Sequence, residues 1–277
     1  MKARYLLVGA TALYLWSGTA MAEVVTSFDS SLTTPGQWFE RVAVGGTAGI
    51  VDLTGQGGNL ENNQPLPTGA VRLTTSTNNL DRGEAAVADN FGSFGSFLQS
   101  GSLSYSYYKD STGDLNAFAA PSIKLAVRDD NTAQGDNFTT FVFEPSWNIV
   151  IGTQPPVPTD DWITANIDAS NGVFWHTGFY TQGGLGGNGS DGNTLSDWAT
   201  VFGDDILDAT IVEIAVGVGT FNQGQTGYFD DVQFSNGNIS RSYDFQAASV
   251  LPEPATLALF GLGLAGLAVA GRKRRRG

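Results

Sequence analysis

The sequence predicts an all-β fold, an antiparallel jelly-roll-like β-sandwich, flanked by an N-terminal signal peptide and a C-terminal transmembrane helix. Three observations point there. Short segments rich in β-branched and aromatic residues recur from Val24 to Phe245, separated by clusters of Gly, Asn, Asp and Pro. Several of them alternate apolar and polar residues with period two. Two uncharged apolar runs, Tyr5 to Trp16 and Ala255 to Gly271, stand at the ends of the chain.

Residues 1–22 read as a secretory signal peptide. Lys2 and Arg4 give the positive start, Tyr5 to Trp16 the apolar segment, and Ala20-Met21-Ala22 the small-residue cleavage site. A domain of residues 23–250 follows. Its strand candidates are Val24–Phe28, Trp38–Val44, Ala70–Thr74, Ser102–Tyr108, Ser122–Arg128, Thr139–Phe143, Trp162–Ile167, Val173–Phe179, Ile211–Val218, Tyr228–Phe234 and Ser240–Phe245. Leu103, Tyr105 and Tyr107 share one face and Ser104 and Ser106 the other. Val212, Ile214, Val216 and Val218 form the most apolar stripe. One two-turn helix is expected after Thr194, where Thr194 and Asp197 have capping-box spacing and Leu195, Trp198 and Phe202 fall on one face. Loops are expected over 45–64, around a short strand at Ile50–Leu53, and over 154–161 and 182–193, all rich in Gly, Asn or Pro.

Charge narrows the partners. Between Glu23 and Val250 there are 7 basic against 26 acidic residues, a net charge of −19, more acidic than the whole-chain −13. Such a surface repels duplex DNA and anionic lipid headgroups and tolerates divalent cations. Cysteine is absent, so there are no disulfides and no thiol chemistry. About 228 residues bury a sizeable core without them.

The last segment, 251–277, has three parts. Pro252-Glu253-Pro254 is stiff and extended, because each proline fixes φ and disfavours helix in the residue before it. Ala255 to Gly271 is uncharged, roughly 25 Å long as a helix, short but sufficient for a bilayer span. Arg272, Lys273, Arg274, Arg275 and Arg276 form a basic block that stays on the cytoplasmic side. This layout resembles the PEP-CTERM sorting tail of Gram-negative bacteria that make extracellular polysaccharide. The resemblance implies that an exosortase-type membrane protease recognises Pro252, Glu253 and Pro254 and removes the helix and basic block. The precursor is then held in the inner membrane, and the product goes to the cell surface or matrix. A plain membrane anchor is the alternative. A Gram-positive sortase signal needs Leu-Pro-x-Thr-Gly, and Pro254-Ala255 stand in its last two positions.

Within the domain, Tyr228, Asp230, Val232 and Phe234 share a face by parity, so a core-facing Val232 and Phe234 imply an inward Asp230. A buried carboxylate needs a partner or a cation. The segment resembles the last strands of carbohydrate-binding-module-like, laminin-G-like and galactose-binding-like jelly rolls. Asp161-Trp162 through Asp168, with Trp175, resembles a Trp-bearing hairpin of the same folds. The resemblance implies a structural Ca²⁺ where the first and last strands meet, with Asp29 and Asp230 as ligands; no other cofactor is expected. It also implies sugar-stacking aromatics, for which Trp147, Trp175 and Tyr180 lie nearest the loops. No residue is assigned a catalytic role. His176 sits inside a strand, and no zincin, nucleophile-elbow or phosphate-loop motif is present. Three functions stay open: an exported non-catalytic protein associated with exopolysaccharide, a secreted polysaccharide hydrolase, and a ligand-free structural matrix protein.

Overall fold

The structure, a computed structural model, describes residues 22–31, 34–113, 116–129, 137–151, 153–178 and 192–248. In chain order the strands are β1 (Glu23–Val25), β2 (Trp38–Val44), β3 (Gly46–Asp52), β4 (Gly69–Thr75), β5 (Arg82–Ala88), β6 (Ser102–Lys109), β7 (Ser122–Asp129), β8 (Asn137–Phe143), β9 (Trp162–Ile167), β10 (Phe174–Gly178), β11 (Thr210–Gly219), β12 (Thr226–Asn236) and β13 (Ile239–Phe245). Among the described residues, short α-helices join them at α1 (Gly58–Asn62), α2 (Phe94–Ser100), α3 (Pro145–Asn148) and α4 (Leu195–Phe202), with a 3-10 turn at Asp204–Ile206. The protein is thus mostly β, as the alternating segments predict. Among the described residues no helix is long and apolar enough to cross a membrane. The predicted signal peptide and C-terminal helix lie outside the described residues.

The strands form two sheets packed face to face. In the first, β9, β6 and β12 lie side by side, and the other edge of the long β12 is shared by β4 along its first half and β13 along its second. β3 extends the β4 side, and β1 adds to β13 as a parallel edge strand. The second sheet runs β10-β8-β7-β11-β5-β2, all antiparallel. One core lies between the sheets and takes side chains from both. Trp38 of β2 reaches across to the first sheet and meets Phe229, Tyr243 and Phe245 at ring-centroid distances of 5.8, 5.3 and 4.9 Å. The stripe on β11 is buried as expected at Ile214, Val216 and Val218, but a bulge between Ile211 and Glu213 turns Ile211 into the core in place of Val212.

The chain changes sheet between β2 and β3 at Gly45 and Gly46. Gly45 has φ +62°, and a Cβ on Gly46 would sit 2.3 Å from the Thr74 carbonyl oxygen, so only glycine turns this corner.

Two expectations need correction, and two elements stand where none was expected. Residues 45–64 are more ordered than a loop, forming β3 and α1. Arg82–Ala88 reads weakly as a strand because it is rich in Ala and Gly, yet as β5 it is interior to the second sheet, paired with β11 and β2. Tertiary pairing overrides its low propensity. Phe94 and Phe97, in a Gly- and Ser-rich stretch, belong to α2, which Ser93 caps by accepting the Ser96 amide at 3.2 Å. Their rings stack on Phe141 and Phe234 at 5.2 and 5.5 Å. Finally, Trp162 and Trp175 do not form a hairpin, because β9 belongs to the first sheet and β10 to the second.

The predicted helix is present as α4. Thr194 accepts the Asp197 amide, the Asp197 carboxylate accepts the Thr194 amide, and Gly203 ends it at φ +80°.

Candidate functional site

Two of the predicted aromatics, Trp147 and Trp175, lie on neighbouring segments next to Glu144. Glu144 follows β8 and precedes Pro145, which opens α3. The Trp147 amide and the Asn148 side chain both donate to the Glu144 carbonyl, at 3.2 and 2.8 Å. Asn148 also accepts the Val173 amide at 2.7 Å and donates to the Val173 carbonyl at 3.1 Å. This double tie fastens α3 to the start of β10. Phe174 then turns into the core and Trp175 to the outer face of the second sheet. Both indoles are half-buried. Burial pushes the Glu144 carboxyl above the usual carboxylate range, while the Trp175 side chain, the Lys124 charge and the Trp147 side chain act the other way.

Beside this cluster is a polar pocket of about 160 Å³. Glu144, Gln154, Asn116, Asn222, Ser122 and Phe118 contribute to its lining, and Glu144 is the one carboxyl among the described lining residues. Gln154 is held to Ser146 of α3 at 3.2 Å, and Asn116 donates to Asn222 at 2.6 Å, joining the β6–β7 and β11–β12 loops. The pocket therefore offers amide, hydroxyl and carboxyl groups on a braced rim.

A line of alternating charge continues from Glu144 across the outer face of the second sheet. Lys124 is in register with Val142, which is in register with Trp175, so they share that face. Lys124 pairs with Glu84 of β5, and Glu84 also pairs with Arg41 of β2. Arg41 reaches Glu213 of β11 at 2.9 Å. Glu84 is 3 % exposed. Burial by itself would raise its pKa, but Lys124 and Arg41 outweigh it and hold the carboxylate below its ordinary value. Glu213 is shifted up by burial, against the attraction of Arg41. Sequence reasoning missed Glu144, Lys124 and Glu84. The one local sign was an acid set between the apolar end of a strand and a proline.

The remaining predicted residues stand apart. Asp29 is bound up in its own turn, accepting from the Ser31 amide and hydroxyl at 2.9 and 2.7 Å and from the Thr34 amide at 3.3 Å. These bonds lower its pKa to about 2. Asp230 is buried, but the parity argument fails. A β-bulge between Asp230 and Gln233, with Asp231 at φ +51°, shifts the register by one residue. Phe229 faces the core before it and Val232 and Phe234 after it. Asp230, opposite Ser106, therefore lies on the other side of the strand from them. Its Oδ1 accepts the Phe245 amide at 3.1 Å, and its Oδ2 has no partner. The structure thus gives Asp29 and Asp230 separate surroundings. Among the described residues no three His, Cys, Asp or Glu side chains gather as a cation site. His176 is buried against Trp198 and Phe202, at centroid distances of 4.7 and 5.0 Å. Tyr180, Pro252, Glu253, Pro254 and the basic block from Arg272 to Arg276 lie outside the described residues.

Comparison with curated proteins finds no match. Among solved structures, the chain is similar to an exo-β-agarase at 12 % identity and a TM-score of 0.39, covering 78 % of this chain and 25 % of that one. It is also similar to the family 11 carbohydrate-binding module from Clostridium thermocellum, solved with a β-1,3-1,4-mixed-linked tetrasaccharide. There the identity is 10 % and the TM-score 0.38, with 82 % of this chain and 100 % of that one covered. A third similar structure is the family 30 carbohydrate-binding module of a cellulosomal cellulase of the same organism, at 13 % identity and a TM-score of 0.34, covering 73 % and 96 %. Residues 250–276 match the PEP-CTERM protein-sorting motif, so the chain carries that motif and with it the address of an exported protein.

Proposed function

We propose that this is an exported, non-catalytic β-sandwich that binds polysaccharide, the cell's own exopolysaccharide in particular, after removal of its sorting tail. The observation that carries the reading is the double tie between Asn148 and Val173, which sets the half-buried Trp147 and Trp175 on joined segments beside Glu144 and a polar pocket with a single carboxyl among its described lining residues. Aromatic rings next to amide and carboxyl groups suit the apolar faces and hydroxyls of a sugar ring. Two-acid glycoside hydrolysis needs a facing pair of carboxyls, and the described lining of this pocket supplies one. In this reading residues 23–250 are the functional domain. Pro252, Glu253 and Pro254 are presented to an exosortase-type protease, while Arg272 to Arg276 hold the precursor in the inner membrane.

A glycan array together with a reducing-sugar assay tests the binding reading. Binding that falls at least about tenfold in Trp175→Ala supports it, given the weight aromatic anchors carry in recognition. Release of reducing ends, abolished by Glu144→Gln, would instead make the protein a hydrolase. Silence in both assays would leave a structural protein. Replacing Pro252, Glu253 and Pro254 with alanine should stop processing. Recovery of the Arg272–Gly277 segment from extracellular protein by mass spectrometry would refute tail removal.

A further inference from the structure

The outer face of the first sheet carries a second set of groups that this function does not use. Asn166 of β9, Ser104 of β6, Gln233 of β12 and Ser242 of β13 stand in register across four adjacent strands. Ser102, Ser235 and Ser240 form a parallel row over three of them. Their strand neighbours Leu103, Phe234 and Tyr243 face the core, so both rows point outward. Together they floor a depression of about 690 Å³.

Three features set this floor apart from an ordinary solvated face. First, the side chains are unengaged. Elsewhere on the first sheet, outward hydroxyls pair across strands, as Ser106 does with Thr164 at 2.8 Å and Thr47 with Thr74 at 2.7 Å. Among the described residues the side chains of Ser102, Ser104, Asn166, Ser235, Ser240 and Ser242 make no such bond, while Gln233 donates to Asp231. Second, the two rows themselves carry no charged residue in a domain with 26 acids. Three charged residues, Asp168, Asp231 and Arg241, stand at its rim, each held by a protein partner. Arg241 pairs with Asp89 at 3.0 Å, and Asp168 accepts the Ser170 and Asn171 amides. Third, a strand surface is built most readily from β-branched and aromatic residues, so a patch of Ser and Asn gives up local propensity for its chemistry.

We propose that this face is a second binding groove, for a segment of uncharged, hydroxyl-rich polysaccharide, so that one molecule holds two chains. Strands about 4.8 Å apart place a donor or acceptor at intervals of the order of one sugar ring. Hydroxyls and amides both donate and accept, as sugar hydroxyls do. A polyanion would gain nothing from a neutral floor and would be repelled by the surrounding acids. The ligand class rests on the carbohydrate reading above; the location does not, because the groove shares no residue with the Glu144 pocket.

Affinity electrophoresis of the full-length chain in mild detergent separates the two sites. The probes are dextran, hydroxyethyl cellulose and galactomannan, with alginate as the anionic comparison. Trp175→Ala should still be retarded by at least one neutral polymer. Adding Ser104→Lys and Ser235→Lys, which fill the groove from half-buried, outward-facing strand positions, should abolish that retardation while the far-UV circular dichroism of the sandwich is kept. A gentler variant with Ser104, Ser235 and Ser242 all changed to Ala should bind about tenfold or more weakly, since each lost hydrogen bond weakens binding by roughly two- to tenfold. The parent should crosslink long neutral chains into a turbid suspension, and either single-site variant should not. Three results would overturn the groove: no neutral polymer retarding Trp175→Ala, equal retardation with and without the lysines, or retardation by alginate alone. Full binding by Trp175→Ala, lost with the lysines, would instead refute the Glu144 pocket and leave the groove standing.

Discussion

Asp230 makes the stability of this protein depend on pH in a direction opposite to that of most carboxylates. Burial lifts its pKa to about 8, and the nearby Asp244 and Asp231 charges add to the lift, against the hydrogen bond from the Phe245 amide. The ordinary value is 3.8. Below pH about 4 the group is protonated in both folded and unfolded chains and adds no pH dependence. Between about 4 and 8 the unfolded chain gives up the proton and the folded one keeps it. Stability then falls as pH rises, by up to about 1.4 kcal/mol per unit. Above about 8 both forms are ionised and the loss levels off, at roughly 6 kcal/mol in all. Asp230→Asn keeps an oxygen for the Phe245 amide and cannot ionise. Its stability relative to the parent should therefore climb by about 3–4 kcal/mol from pH 5 to pH 8 and then flatten. Urea unfolding of both proteins at each pH unit from 5 to 9 measures this directly, since titrating groups not coupled to Asp230 cancel in the difference. Parallel stability profiles would refute the assignment. Asp230→Ala separates the hydrogen bond from the charge. At pH 5 it should lose about 1–3 kcal/mol, because it strands the buried Phe245 amide.

Two further outcomes follow from the same structure. Glu84→Gln leaves Lys124 and Arg41 facing each other without the buried carboxylate between them, and should lower stability by about 3 kcal/mol, read as a drop in melting temperature of several degrees; an unchanged melt would mean the pair is solvated. Phe221 holds φ +68° with 72 % of its surface exposed, a conformation costly for a bulky residue. Phe221→Gly should therefore stabilise by about 1 kcal/mol, and a lower melting temperature would show that the ring packs against something.

Much of this protein was legible locally. Strand alternation such as Leu103, Tyr105 and Tyr107 against Ser104 and Ser106 is a property of successive residues, and so is the capping box of Thr194 and Asp197. The sorting motif is linear: proline stiffness, an apolar run and a basic block act in chain order whatever the domain before them does. Export could thus be read from the sequence alone.

What needed the tertiary structure is whatever depends on which strands become neighbours. Arg82–Ala88 is a strand because β11 and β2 flank it, not because its residues prefer one. Asp230 leaves the Val232 and Phe234 face because one extra residue bulges opposite β6, and no period-two count sees a bulge. Trp162 and Trp175 are near in sequence but lie on opposite sheets. Trp147 and Trp175 are farther apart in sequence, and the tie from Asn148 to Val173 brings them to Glu144. The Ser and Asn rows become a groove only through the register of β9, β6, β12 and β13. Periodicity says which way a side chain points along its own strand. Long-range hydrogen bonding decides what stands beside it, and with that its burial, its charge state and the ligand it faces.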